Sequence, residues 1–188
     1  MILTREEFNI HIEKYMKLID KGAIFIHPTD TIYGLGCNAL NKDAVKKIRK
    51  IKKRYTNPFS VIVPSKDWIK KNCIINKDVE KWLKKLPGPY TLILKLKNKN
   101  CIAKNVNNDL PSLGVRIPAH WFSDIVTKLQ IPIITTSVNI TGETFMTSIE
   151  NLNPEIKKEL DFIIYEGEKY GRPSKIIDLT SKETIIER

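Results

Sequence analysis

Phe8, Ile12, Tyr15, Met16 and Ile19 recur at helical spacing behind Thr4 and Glu7, a capping-box pair, and ahead of Gly22, which can close the helix. The apolar run Ala23 to Ile26 then reads as a strand ending at His27. Asn41 or Asp43 can cap a second helix that turns Val45, Ile48 and Ile51 inward, and Phe59 to Val63 reads as a buried strand. Ser65 and Asn76 can cap two further helices, the second carrying Val79, Trp82, Leu83 and Leu86 on one face before Pro87-Gly88-Pro89 ends it. Strands are expected at Tyr90 to Leu96, Leu113 to Ile117, Ile133 to Thr136, Phe162 to Tyr165, Ile176 to Leu179 and Thr184 to Ile186. Between them fall a helix over Trp121 to Leu129 and another capped by Thr147 with Glu150, ending near Leu160. This interleaving predicts an α/β or α+β fold: one twisted mixed β-sheet flanked by helices, with polar loops along one edge.

Composition narrows the class. With 41% hydrophobic residues in 188, the chain can bury one substantial core, and no composition shift, repeat or low-complexity tract marks a second unit, so a single domain over 1–188 is expected. Acids occupy the N-terminal stretch where a signal peptide would be basic. No apolar run approaches the ~20 residues needed to span a bilayer, so a cytoplasmic protein without a membrane partner is expected. Cys37, Cys73 and Cys101 are an odd number at wide spacing, and His11, His27 and His120 lie far apart, so neither a disulfide framework nor a protein metal site is indicated.

A net charge of +11 is enough to attract polyanions such as nucleotides or RNA. Its densest run is Lys46-Lys47-Ile48-Arg49-Lys50-Ile51-Lys52-Lys53-Arg54. Lys46 to Lys50 read equally well as a solvated helix face, whereas Lys52, Lys53 and Arg54 lead into a loop and suit an anion better.

Three segments carry candidate chemistry. Pro28 to Gly36 stacks hydroxyls and glycines behind a strand, Leu113 to His120 holds Arg116, and Ser137 to Gly142 holds Ser137 and Asn139; together they suggest one pocket. Gly34-Leu35-Gly36 is only half of a dinucleotide fingerprint and has no helix directly behind it, and there is no phosphate-binding P-loop, so bound phosphates would be held by side-chain cations and hydroxyls. Arg116 alternates with Val115 and Ile117 and needs an anion. A protein carboxylate would serve, but its polar neighbours favour a bound carboxylate or phosphate. Ser137 and Asn139 also read as a turn that satisfies its own backbone. With no familiar serine triad and no opposed carboxylate pair, acid–base hydrolysis is disfavoured, and nucleotidyl transfer fits a pocket of cations and hydroxyls.

These segments, taken in order, resemble the YrdC-like threonylcarbamoyl-adenylate synthases over essentially the whole chain. The Pro-Thr-[Glu/Asp]-Thr-x-Tyr-Gly-Leu-Gly segment is at Pro28 to Gly36, Pro-Gly-Pro-x-Thr at Pro87 to Thr91, Val-Arg-x-Pro at Val115 to Pro118, and Ser-x-Asn-x-[Ser/Thr]-Gly at Ser137 to Gly142. The late Ser-Thr-[Ile/Val] segment is represented by Ser174-Lys175-Ile176, and the following arginine by Arg188.

The resemblance implies an enzyme joining L-threonine, bicarbonate and ATP into threonylcarbamoyl-adenylate, with a downstream transferase delivering the group to tRNA, and a deep, positively charged groove. It implies that Thr31, Arg116 and Ser174 hold threonine, and that Lys52, Arg54, Asn57, Ser112, Ser137, Asn139 and Arg188 hold ATP, with Lys52, Arg54 and Ser137 closest to the chemistry. The interval from Arg54 to Pro58 is one residue shorter than the family's, which leaves Lys53 or Arg54 for the arginine's role. Lys175 stands where threonine is common, and Thr135-Thr136 where a small residue and proline are usual. Magnesium is expected on the triphosphate, held by phosphate oxygens and water. Two other readings compete: a module binding tRNA or double-stranded RNA, which would not need the Ser-x-Asn and Thr-rich loops, and a relative forming carbamoyl-adenylate.

Overall fold

In the computed structural model, which describes residues 1–186, the chain runs β1 (Ile2–Leu3), α1 (Arg5–Ile10), α2 (Ile12–Asp20), β2 (Phe25–His27), β3 (Gly34–Gly36), α3 (Lys42–Lys52), β4 (Ser60–Ile62), α4 (Lys66–Asn72), α5 (Lys77–Leu83) and β5 (Tyr90–Lys95). It continues with α6 (Lys104–Asn107), β6 (Ser112–Arg116), α7 (Phe122–Leu129), β7 (Ile133–Ser137), α8 (Pro154–Lys158), β8 (Phe162–Ile164), β9 (Lys175–Asp178) and β10 (Thr184–Ile186). The strands form one ten-stranded mixed sheet in the order β1-β8-β2-β3-β7-β4-β6-β5-β9-β10.

Strand alternation divides the sheet into two faces. Ile26, Leu35, Val61, Leu92, Val115, Ile134, Ile163 and Ile177 join one apolar cluster, which α3 and α5 cover with Val45, Ile48, Val79 and Leu83. Phe25, Ile62, Ile133, Phe162 and Ile164 point the other way and meet Phe8, Tyr15, Ile19, Phe122 and Val126 from α1, α2 and α7. On this second face, the strands beyond that apolar cluster present Ser60, Thr91, Gly114, Arg116 and Thr135 instead.

The caps work as the sequence predicts at several starts. Thr4 and Glu7 exchange both bonds of a capping box, with Thr4 N to Glu7 Oε2 at 2.8 Å, and Asn41, Ser65 and Asn76 each accept from amides of the following turn. Three expectations are corrected. The first helix breaks at His11, although Phe8 and Tyr15 stack at 5.3 Å across the break and keep one buried stripe. Thr147 and Glu150 do not start a helix: the Asn151 side chain accepts from Thr147 N and Ser148 N, and Pro154 delays α8 until Asn153 can cap it. Gly34–Gly36 is a strand, where a loop is expected. It pairs with β2 and β7, and its glycines make room for the His27 ring, which lies in the space a Cβ at Gly34 or Gly36 would fill.

Candidate functional site

The polar face of the sheet encloses a cavity of about 220 Å³ whose walls include Gly34, Arg54, Ser60, Thr91, Arg116, Thr135, Ser137 and Ser174. Alternation along β4, β5, β6 and β7 explains why Ser60, Thr91, Arg116, Thr135 and Ser137 share one side: each sits one residue away from an apolar neighbour that enters the opposite core. The site is thus built on the sheet's surface as well as at its loops.

At one end Arg116 Nη2 donates to Asp30 Oδ1 at 3.0 Å and to Thr31 Oγ1 at 3.2 Å, with both members of the ion pair nearly buried. The other oxygen of Asp30 accepts from Ala119 N at 2.9 Å. A protein carboxylate therefore partners Arg116, where the sequence favours a bound anion; Asp30 stands in the sequence as one letter of a loop motif. The loop is internally bonded: Thr29 Oγ1 donates to Ile32 O at 2.7 Å, accepts from Thr31 N at 3.1 Å and lies 3.0 Å from Thr31 Oγ1.

Residues 165–174 strap across this loop. Tyr33 Oη donates to Gly167 O at 2.6 Å and accepts from Glu166 N at 3.1 Å, while the Glu166 carboxylate accepts from Trp121 Nε1 and Lys169 Nζ at 3.0 and 2.7 Å and lies 2.8 Å from His120 Nε2. Gly171 passes so close to the Thr31 carbonyl that no Cβ would fit. The strap then delivers Ser174, whose Oγ lies 2.7 Å from Thr91 Oγ1.

At the other end the turn after β7 is held from below. Lys52 Nζ, almost fully buried, donates to Ser137 O at 2.5 Å, Asn139 O at 2.8 Å and Asn139 Oδ1 at 3.0 Å, and Ser137 Oγ donates to Asn139 Oδ1 at 2.6 Å. Burial, and after it the charge of Arg54, lower the Lys52 pKa to about 7. Lys52 is thus engaged with the turn that carries Ser137. His27, stacked on Phe122 at 4.6 Å beneath the site, is held at a pKa of about 3, chiefly by burial.

Of the residues named from the sequence, Arg54, Arg116, Ser137 and Ser174 share the cavity, and Thr31, Lys52 and Asn139 bond to that set. Lys53 lies outside it, in a left-handed conformation at the end of α3, beside a surface depression shared with Lys47, Ile140 and Glu159. Ser112 starts β6 and borders another depression with Leu96 and Thr180. Asn57 is exposed, with its carbonyl bonded to Arg49, and Arg188 falls outside the described residues. Ser60 and Thr91, single hydroxyls in apolar strands, also line the cavity without being candidates from the sequence, although Thr91 closes the Pro-Gly-Pro-Tyr-Thr segment; Thr135, of the Thr135-Thr136 pair noted there, joins them.

Comparison with known proteins places this geometry. The family model for Sua5, YciO and YrdC proteins, described as "Telomere recombination", matches residues 17–188. A Methanocaldococcus jannaschii protein provisionally named a threonylcarbamoyl-AMP synthase is 38% identical over 99% of this chain and 88% of its own length. A Pyrococcus abyssi threonylcarbamoyl-AMP synthase is 31% identical over 97% of the chain, which spans 54% of that relative. The crystal structure of Pyrococcus abyssi Sua5 complexed with L-threonine superposes with a TM-score of 0.86 at 29% identity, over 98% of this chain and 56% of that one. The chain thus spans about half the length of the Pyrococcus proteins.

Proposed function

The chain belongs to the Sua5/YciO/YrdC family, and we propose that it is a threonylcarbamoyl-AMP synthase, a nucleotidyltransferase that makes threonylcarbamoyl-adenylate and pyrophosphate from L-threonine, bicarbonate and ATP. The observation that carries this reading is the convergence of Arg116 and Ser174 with Arg54 and Ser137 on one cavity, from four separated motifs. An arginine fork beside hydroxyls recognises an amino acid's carboxylate, and a second arginine beside a polar turn recognises phosphate.

In this reading threonine lies against Thr31, Arg116 and Ser174, with its carboxylate drawing Arg116 partly away from Asp30, and ATP lies toward Arg54, Ser137 and Asn139. The threonine amine attacks the bicarbonate carbon, water leaves, and the resulting carbamate oxygen attacks the α-phosphorus in line as pyrophosphate departs. Arg54 offsets the charge that grows on pyrophosphate, and Lys52 keeps the Ser137 turn in place. The hydroxyls of Ser137 and Ser174 are bonded to other side chains rather than to a base: Ser137 Oγ donates to Asn139 Oδ1 and Ser174 Oγ is paired with Thr91 Oγ1. Direct attack without an enzyme-bound intermediate suits such a site.

Magnesium belongs to the same proposal. Among the described residues no group of three or more His, Cys, Asp or Glu is placed to hold a metal ion. A wall of hydroxyls and cations fits magnesium carried in on triphosphate oxygens and water, where it would neutralise phosphate charge. The product would pass to a tRNA threonylcarbamoyl transferase, which implies a cytoplasmic setting; no helix among the described residues is long and apolar enough to cross a membrane.

The test is incubation with ATP, magnesium, bicarbonate and labelled threonine. A labelled adenylate should form, and exchange of labelled pyrophosphate into ATP should require both threonine and bicarbonate. Exchange with ATP alone, or an adenylate that forms without threonine, would overturn the reading.

A further inference from the structure

Arg49 belongs to the stretch that reads equally well as a solvated helix face, yet it is buried on the inner side of α3. Its guanidinium bonds to main chain from every nitrogen. Nη1 donates to the carbonyls of Arg54, Tyr55 and Asn57 at 2.9, 3.3 and 3.1 Å, Nε to Asn105 O at 2.7 Å, and Nη2 to Val106 O at 3.1 Å. The remaining carbonyls of the segment are also taken: Thr56 O accepts from Asn108 Nδ2, and Pro58 O from Arg54 Nη2 at 2.7 Å. All five carbonyls from Arg54 to Pro58 are thus bound by side chains, in a stretch with no helix or strand to fix it. Arg49 and Arg54 also share the Phe59 ring, their Cζ atoms 4.7 and 5.2 Å from its centroid.

We infer that Arg49 is a positioning residue for the nucleotide step, fixing the shortened 54–58 loop so that Arg54 stands in the cavity wall. The inference rests on the proposed function. Only arginine can bond in this way, because its planar fork offers five N–H donors in fixed directions, which reach two separate segments at once, whereas a lysine ammonium offers three around one atom. The Arg54 amide also donates to Arg49 O at 3.0 Å, but the carbonyls that follow are held by side chains, so removing that fork frees much of the loop, and a displacement of about 1 Å can cost on the order of a hundredfold in a reaction that depends on placement.

The experiment is calorimetry of Mg·ATP and, separately, of L-threonine with folded wild-type chain, Arg49→Lys, Arg54→Ala and the double variant. Arg49→Lys should weaken ATP binding roughly tenfold or more and leave threonine affinity unchanged. The double variant should bind ATP about as weakly as Arg54→Ala alone, because Arg49 acts through Arg54. Asn108→Gly serves as a gentler probe: it keeps the left-handed backbone of Asn108 but removes the donor to Thr56, and should weaken ATP about two- to tenfold with threonine again unchanged. ATP affinity unmoved in Arg49→Lys, parallel loss of threonine and ATP, or additive losses in the double variant would overturn the inference. If Arg49→Lys does not fold, unmoved ATP affinity in Asn108→Gly overturns it. A wild-type chain that binds threonine but no ATP would instead overturn the proposed function.

Discussion

Arg116 and Asp30 form a nearly buried pair, so each is costly without the other. Arg116→Ala would leave the Asp30 carboxylate with the Ala119 amide as its remaining partner of those described above, and should lower unfolding free energy by about 3–5 kcal/mol in chemical denaturation. Arg116→Lys keeps the charge without the fork and is the better variant for threonine binding, which should fall while ATP binding holds. His27 gives a pH signature. Its folded pKa of about 3 lies below the ~6.5 of an unfolded histidine, so below about pH 6.5 the unfolded chain binds the extra proton. Stability should therefore drop from about pH 6.5 toward pH 3 with a slope of up to about 1.4 kcal/mol per pH unit from this group. Comparing the slopes of wild type and His27→Met checks it; equal slopes would clear His27 of the effect. Arg116, Ser137 and Ser174 were legible because each is a polar residue against an apolar strand pattern or within a recognisable motif. Asp30 and Arg49 were not, because a charge in a loop or in a basic run gives no sign of which carbonyl or cation it will meet.

Helices were more legible than short strands, for a physical reason. A capping side chain acts within three residues, so Thr4, Asn41, Ser65 and Asn76 announce their helices locally. The strand Gly34–Gly36 depends on a histidine from the neighbouring strand and on partners as distant as Ser137, and no local pattern of two glycines can show that. The end of α3 carries a similar hidden demand. Lys53 closes the helix at φ 50°, where a Cβ is strained, and its side chain faces away from the cavity. Lys53→Gly should raise stability by about 1 kcal/mol, read as a higher melting temperature, with ATP affinity retained. A lower melting temperature would mean that the lysine side chain contributes more than its backbone costs.

At the scale of the whole molecule, the sequence showed the layers but not the strand order. Apolar runs identify what is buried, whereas the order follows from which faces match across long stretches of chain. The outcome is a sheet whose halves meet at β7, the strand that pairs with both β3 and β4, and whose first strand, Ile2–Leu3, pairs with Ile163–Ile164. Such distant pairing makes loop closure costly before any contact offsets it. On the ribosome, Ile2–Leu3 must wait for about 160 further residues before its partner strand emerges, and the wall bearing Ser174 emerges later still. A chain interrupted before that point would hold Arg54 and the Ser137 turn without the strap that closes the Arg116 end, so translation must pass Ser174 before this pocket can exist.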